Sequence, residues 1–175
     1  MGSVNASPIQ TTSGALARYD DVRAHTERLA APLSPEDQTV QSMADVSPPK
    51  WHLGHTSWFF ENFILQELTA AYQAFNPAYA TIFNSYYKSQ GGHWQQQARG
   101  QLSRPTVADV YAYRNYVNEQ ILSLELTLAN DDKKLERFST LIEVGIHHEQ
   151  QHQELMLTDI KHLYSCNPLW PTYRA

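Results

Sequence analysis

The sequence predicts an all-α protein, built as a four-helix bundle with one long irregular crossover between its second and third helices. Four stretches carry apolar residues at helical spacing, and clusters of Pro, Gly and Asn separate them. No stretch alternates apolar and polar residues as a half-buried strand does. With 175 residues, of which 42% are hydrophobic and 18% charged, the chain can bury the core of a single globular domain.

The first predicted helix covers residues 15–33 and follows a polar arm. Its buried stripe recurs every three or four residues, at Leu16, Tyr19, Val22, Thr26, Leu29 and Leu33. Ser34-Pro35 is predicted to end the helix, because proline disfavours helical backbone at the preceding residue. Residues 1–14 are small and polar, without the basic start and apolar run of a signal peptide, and are predicted to be a flexible arm.

The second predicted helix runs from Pro49 to Leu68, since proline suits the first turn of a helix. One stripe of this helix carries Trp51, His55, Trp58, Phe59 and Asn62. The stretch 69–105 that follows is long, irregular and rich in Gln, Gly, Asn and aromatic residues. Structureless segments of this length are uncommon inside a compact domain and are often functional, so a functional role is expected for this crossover.

Two further helices complete the predicted bundle. Thr106 and Asp109 form a capping-box pattern at the start of the third helix. Asn130-Asp131-Asp132 is predicted to be the turn into the last and longest helix. The bundle domain is therefore predicted to span residues 15–165, and residues 166–175 to form an extended tail.

Composition argues against several classes of protein. A net charge of −5 and a pI of about 5.9 provide no basic surface for a nucleic-acid partner. No apolar run approaches the roughly 18 residues of a membrane span. The chain has a single cysteine, Cys166, so no internal disulfide can form, and this favours a reducing, cytoplasmic compartment. Cys166 itself is interpreted as an incidental thiol.

The apolar stripe of the last helix changes character at its middle, where it carries Gly145, His148 and His152. Buried imidazoles cost free energy unless their nitrogens find partners. At a spacing of four residues both rings project from one helix face, so that they can bind one metal ion. Gly145 is predicted to leave room beside that site. His55, on the facing helix, is assigned as the third ligand, while His52 is assigned to a supporting role or to the surface.

Three neutral imidazoles leave coordination positions open, which is typical of a catalytic metal site, since a structural site takes a fourth protein ligand. The alternative is that these are core histidines whose nitrogens are satisfied by hydrogen bonds. It is disfavoured because His148 and His152 are spaced for one metal ion and His55 is available as a third ligand. The string from His148 to His152 also matches the zinc-protease pattern H-E-x-x-H. The sequence lacks both the extended ligand pattern of those proteases and the strand before their helix, which argues against this interpretation.

Four separated motifs resemble those of one enzyme family: PKWHLGHTSWFFE at 49–61, FNSYY at 83–87, RGQLSRP at 99–105 and HHEQQHQEL at 147–155. Together, over roughly residues 15–173, they resemble the N-terminal DinB-like domain of the ergothioneine-biosynthesis sulfoxide synthases. The resemblance implies a DinB-like four-helix bundle in which His55, His148 and His152 hold the iron.

The resemblance also implies a cofactor and substrates. Members of the family are non-haem Fe(II) enzymes that use O₂ to join a thiol (cysteine or γ-glutamylcysteine) to hercynine, which is trimethylated histidine, as a sulfoxide. Zinc can substitute at imidazole ligands. Gln151 matches a family position near the quaternary ammonium of the substrate. The crossover itself offers further residues for substrate contacts, with arginine able to bind a carboxylate: Tyr86, Tyr87, Arg99 and Arg104.

Members of that family continue into a second domain that resembles formylglycine-generating enzymes and supplies much of the substrate pocket. The present sequence reaches Ala175 where the interdomain linker would begin. We therefore expect either a fragment or a stand-alone relative, able to bind metal but incomplete as a catalyst of C–S bond formation.

Two alternatives stay open from the sequence. A stand-alone DinB-like thiol S-transferase would use a divalent metal such as zinc to activate a low-molecular-weight thiol by lowering its pKa. A non-catalytic helical interaction module would instead dock a partner through an exposed aromatic surface at Trp58, Phe59 and Phe60.

Overall fold

The computed structural model describes residues 12–86 and 91–174, and within them the protein is helical and contains no strand. In chain order the helices are α1 (Thr12–Ala30), α2 (Pro49–Phe60), α3 (Gln66–Leu68), α4 (Tyr79–Ile82), α5 (Val107–Leu128) and α6 (Asp132–Ser165). A π-helical turn (Glu61–Leu65) joins α2 to α3, and a 3₁₀ segment (Gln96–Gln101) lies in the crossover. The helix α1 packs along α6, and α2 packs against both α5 and α6, which confirms the all-α bundle. Among the described helices, none combines the length and the apolar character that a membrane span needs.

The helix α1 ends at Ala30, earlier than the sequence predicted. Pro32 explains the difference, because it has no amide hydrogen for the helix and disfavours helical backbone at Ala31. Leu33 still reaches the core, where it is 6% exposed. The helix begins at Thr12, and most of the predicted arm lies outside the described residues.

The second predicted helix is continuous over its whole predicted range but contains the π-helical turn. Glu61, the first residue of this turn, is buried and accepts hydrogen bonds from the Tyr113 hydroxyl, the Tyr72 hydroxyl (2.9 Å) and the Phe75 amide (3.0 Å). These bonds tie the second helix to α5 and to the start of the crossover. The spacing of apolar residues in the sequence does not predict the π-helical turn.

The crossover between α3 and α5 is pinned to the first turn of α2. Trp51 donates its indole N–H to the Ile82 carbonyl (3.0 Å). The Lys50 ammonium donates to the carbonyl oxygens of Leu102 (2.6 Å) and Pro105 (3.2 Å). Because these bonds hold two separate parts of the crossover, this segment forms a wall beside α2.

Side-chain caps begin both C-terminal helices where the sequence predicted them. The Thr106 hydroxyl accepts from the Asp109 amide (3.1 Å), and the Asp109 carboxylate accepts from the Thr106 amide (2.9 Å), which confirms the capping box. Asp131 caps α6 by accepting from the Lys134 amide (3.2 Å). These bonds satisfy amide groups that the first turn of a helix leaves unpaired.

The aromatic residues proposed for a docking surface are buried. Trp58 and Phe60 are 0% exposed and Phe59 is 7% exposed. Phe60 meets Tyr19 of α1 edge to face at 4.9 Å, and Phe59 stacks on His148 of α6 at 4.2 Å. The prediction of an exposed aromatic surface here is wrong, because the bundle uses these large apolar side chains as its core.

Gly145 faces an aromatic ring and not an open space. A Cβ atom added at Gly145 would lie 2.3 Å from the nearest carbon of the Phe60 ring. The prediction that Gly145 leaves room beside the metal site is therefore wrong, since the Phe60 ring fills that space. Gly54 has a similar role on α2, where an added Cβ would lie 2.2 Å from the Phe83 ring.

We expect Gly145→Ala to lower the free energy of unfolding by about 1–2 kcal/mol, because an overpacking cost near the upper end of about 1–3 kcal/mol outweighs the gain of about 1 kcal/mol in helix propensity. Urea unfolding followed by circular dichroism measures this difference. Gly92→Ala is the control, because its added Cβ would make only ordinary contact with Thr81, at 3.8 Å. A Gly145→Ala variant as stable as the unmodified chain would contradict the close packing of α2 on α6.

Candidate metal centre

Two helices bring three histidines to one point of the bundle. His55 comes from α2, and His148 and His152 come from successive turns of α6. One ring nitrogen of each lies within 4.8 Å of the other two. His55 Nε2 and His148 Nε2 are 3.2 Å apart, a separation that suits two nitrogens each about 2 Å from a common ion. The cluster can therefore hold a metal ion, and it unites the three residues predicted as ligands.

His55 is held by stacking and by one hydrogen bond. Its ring lies between the indoles of Trp51 and Trp58, at centroid distances of 4.6 and 5.4 Å and interplanar angles of 10° and 16°. Its Nδ1 atom lies 2.6 Å from the Phe83 carbonyl oxygen, which can only accept, so this nitrogen carries the proton. The Nε2 atom is left with a lone pair, as a metal ligand requires.

His152 and His148 are oriented by different contacts. His152 Nδ1 lies 2.9 Å from Nδ1 of His52, whose Nε2 lies 2.9 Å from the Asp159 carboxylate. His148 stacks on Phe59 with an interplanar angle of 25°, and among the described residues its buried Nδ1 has no hydrogen-bond partner. Packing therefore sets the His148 ring, whereas a buried hydrogen-bond chain sets the His152 ring.

Burial keeps the three imidazoles uncharged near neutral pH. Desolvation and the neighbouring His148 hold the pKa of His55 well below its ordinary value. Desolvation lowers the pKa of His148 to about 4. Desolvation, followed by the neighbouring His55, also lowers the pKa of His152. Since a metal ion binds the neutral imidazole, the cluster is in the form that accepts a cation.

A cleft of about 550 Å³ opens beside the cluster, and all three histidines line it. Three residues predicted to contact substrate also line this cleft, namely Tyr86, Arg99 and Gln151. Tyr86 and Gln151 are exposed, whereas Arg99 is buried in the wall. The structure does not bring Arg104 to the cleft, because its side chain is exposed elsewhere on the surface. Tyr87 lies outside the described residues.

Arg99 supplies a positive charge at the wall of the cleft. Its guanidinium carbon lies 3.4 Å from the Trp51 ring centroid, and its Nη1 donates to the Ser47 hydroxyl (2.8 Å). Burial lowers the pKa of Arg99 to about 10, with Asp159 opposing the shift, so the group stays charged at neutral pH. A guanidinium held in this way can bind an anionic group, such as a carboxylate, inside the cleft.

Glu149, the glutamate of the H-E-x-x-H string, faces the interior of the bundle. It is 0% exposed, pairs with Arg23 (3.0 Å) and Arg114 (2.9 Å), and accepts from the Thr26 hydroxyl (2.6 Å). Desolvation raises the pKa of Glu149, but the two guanidiniums prevail and lower it to about 2. A carboxylate committed to two arginines cannot act as the general base of a protease, which supports the rejection of that interpretation.

Sequence reasoning missed two features around the cluster. Asp159 lies two turns after His152 on the last helix, and His52 lies one turn before His55. His52 had been assigned to a supporting role or to the surface, and the spacing of Asp159 could have suggested it as the partner of His52. The buried ion pairs of Glu149 were harder to predict, because the only hint in the sequence was Arg114, which lies at helical spacing among apolar residues of the third helix.

The fold and the cluster define a helical bundle that can hold a metal ion beside an open cleft. The chain belongs to the DinB superfamily, whose sequence pattern matches residues 18–156 and therefore most of the chain. This match includes all three cluster histidines and confirms the DinB-like part of the resemblance. A search of curated proteins gave no match.

Proposed function

We propose that this chain is the iron-binding domain of an O₂-dependent sulfoxide synthase that joins a thiol to hercynine. The observation that carries the proposal is a cluster of three imidazole nitrogens in a cleft whose wall also contains a guanidinium. Three nitrogen ligands leave adjacent coordination positions for other ligands. The resemblance of the motifs around these residues to those of the sulfoxide synthases supports the finer assignment.

The proposed reaction consumes one thiol, one hercynine and one O₂. A C–S bond forms at a ring carbon of the hercynine imidazole, while the S–H bond and the C–H bond of that carbon break. One oxygen atom ends on sulfur, and the other leaves with both hydrogens as water. The two organic substrates together lose four electrons, which O₂ accepts. A bound iron(II) ion would supply the O₂ chemistry.

In this proposal the residues of the chain bind and orient the reactants. The cluster histidines line the cleft, so an ion that they held would be accessible to substrates. Arg99 binds a substrate carboxylate through its paired N–H groups. Trp51 lies between Arg99 and His55 and stacks on both, so it holds the guanidinium at a set distance from the cluster. Gln151 and Tyr86, at the exposed part of the cleft, contact hercynine, with Gln151 near its quaternary ammonium.

The test uses the chain loaded with Fe(II) in the absence of air, then mixed with hercynine and either cysteine or γ-glutamylcysteine. Addition of O₂ then tests turnover: any sulfoxide formed is identified by mass spectrometry, with O₂ uptake in equal amount. Thiol binding should also add a sulfur-to-metal absorption band to the spectrum of the Co(II)-loaded chain. Absence of both the band and the sulfoxide would refute the proposal.

We expect Arg99→Gln to weaken thiol binding by about 10- to 100-fold, because a charged hydrogen bond to the substrate carboxylate is lost. Metal binding should be retained. Titration of the Co(II)-loaded chain with cysteine measures the change. Arg104→Gln is the matched control, because that guanidinium lies outside the cleft. Equal thiol affinities in the two variants would contradict the role given to Arg99.

Membership of the DinB superfamily also supports a second function, a metal-dependent thiol S-transferase. This enzyme would use the same cluster and cleft, with a zinc ion that lowers the pKa of the bound thiol. It would transfer the thiol to an electrophilic acceptor without consuming O₂. With an epoxide as the electrophilic acceptor in place of hercynine, and with O₂ excluded, thiol transfer to the epoxide that depends on the metal would favour the transferase over the synthase.

A further inference from the structure

We infer that His52 and Asp159 form a positioning relay for His152, which fixes the proton on His152 Nδ1 and presents the bare Nε2 to the metal ion. The inference rests on the proposed metal site. It assigns a role to two residues that are not ligands themselves.

Asp159 anchors the relay. Its Oδ2 atom accepts from the Ser47 amide (2.9 Å) and lies 2.9 Å from His52 Nε2. An ionised carboxylate can only accept, so the proton between these two residues belongs to His52 Nε2. The Ser47 amide holds the carboxylate in place, and this fixes the direction of the His52 ring.

The tautomer of His52 determines where the proton lies on His152. With its proton on Nε2, a neutral imidazole keeps a lone pair on Nδ1. His52 Nδ1 faces His152 Nδ1 across 2.9 Å, so the proton between the two rings must sit on His152. The Nε2 atom of His152 is then the nitrogen with a free lone pair. The relay thereby decides which nitrogen of His152 can bind a cation.

The position of the relay makes it effective. His52 is 3% exposed and His152 is 9% exposed, so water competes little for the hydrogen bond between them. His52 lies on α2, one turn before His55, while Asp159 lies on α6, two turns after His152. The relay therefore joins the same two helices that carry the cluster. Among the described contacts, His152 is the one cluster histidine that a hydrogen-bond chain links to a carboxylate, through His52 to Asp159. A hydrogen-bonded carboxylate of this kind makes a histidine ligand more basic.

The test compares two replacements of His52. Leucine fills a similar volume but accepts no hydrogen bond, whereas asparagine can place its amide oxygen near the position of His52 Nδ1. His52→Leu should weaken Co(II) binding by about 10- to 100-fold and change the visible d–d bands of the bound ion. His52→Asn should restore most of the affinity. His162→Leu is the matched control, because it removes an imidazole of α6 that binds Ser42 (2.7 Å) outside the cleft.

A second measurement uses the unmodified chain and does not depend on how the variants fold. In the Zn(II)-loaded, ¹⁵N-labelled protein, long-range ¹H–¹⁵N spectra should show His152 with a protonated Nδ1 and a metal-bound Nε2. Metal on His152 Nδ1 would overturn the inference. So would a folded His52→Leu variant with unchanged Co(II) affinity and spectrum. Both of these outcomes leave the metal site standing, whereas an unmodified chain that binds no metal overturns the proposed function itself.

Discussion

Changing His152 to alanine is expected to weaken the binding of one Co(II) ion per chain by about 100-fold or more. Zinc sites with four ligands bind with about 10–16 kcal/mol, which is about 3 kcal/mol for each ligand, and a tenfold change corresponds to about 1.4 kcal/mol. The cluster offers three histidine nitrogens, so removal of one leaves two and a weaker site. The change also leaves His52 Nδ1 without its hydrogen-bond partner.

A Co(II) titration and a metal analysis of the purified protein measure this loss. His147→Ala is the matched control, because His147 neighbours His148 in the chain but is exposed and contacts Glu143 (3.1 Å) and Gln150 (3.1 Å). We expect this control to bind metal as the unmodified chain does. If both variants kept the full metal content, the cluster would not be the metal site.

Changing Glu149 to glutamine is expected to lower the free energy of unfolding by about 3–5 kcal/mol, since breaking a buried ion pair leaves uncompensated charge in the core. Arg23 and Arg114 are 2% and 0% exposed, and both pair with the Glu149 carboxylate. The neutral amide could keep some hydrogen bonds but could not neutralise two guanidiniums. Chemical denaturation measures the loss.

The control for this prediction is Glu143→Gln, on the same helix. Glu143 pairs with Arg18 at 2.7 Å, but both side chains are more than one-third exposed, and such pairs contribute at most about 1 kcal/mol. A Glu149→Gln variant no less stable than this control would contradict the structural role of the buried carboxylate.

The same carboxylate predicts a pH dependence. The folded-state pKa of Glu149, about 2, lies below its ordinary value of 4.5. Its contribution to stability is therefore complete above about pH 4.5 and is lost as the pH falls towards 2. Urea unfolding between these pH values should show a steeper loss for the unmodified chain than for Glu149→Gln. If stability fell equally steeply with pH in both proteins, the two arginines would not lower the pKa of Glu149 as expected.

The boundaries of the helices followed from local signals where a cap or a proline stands at the end. Thr106 and Asp109 marked the start of α5, and Pro49 marked the start of α2. The end of α1 was misplaced because Pro32 outweighs the apolar stripe that continues to Leu33. The π-helical turn had no local signal, because its buried glutamate is satisfied by groups distant in the chain.

The three cluster histidines were predictable because helical periodicity places them on core-facing stripes. Their surroundings were harder to predict. The space beside Gly145 depends on where the Phe60 ring lies, and Phe60 belongs to another helix. Arg99 and Arg104 are five residues apart on one crossover, yet only Arg99 lines the cleft, because loop conformation and not periodicity decides which side chain turns inward.

The sequence by itself determined the helical class, most helix boundaries and the convergence of His55, His148 and His152, because these follow from the 3.6-residue period and from local capping. Only the tertiary structure decided which ring nitrogen of His55 is free, which arginine reaches the cleft and which glutamate is buried. Those properties depend on hydrogen bonds and charges between helices far apart in the chain, and no local pattern encodes them.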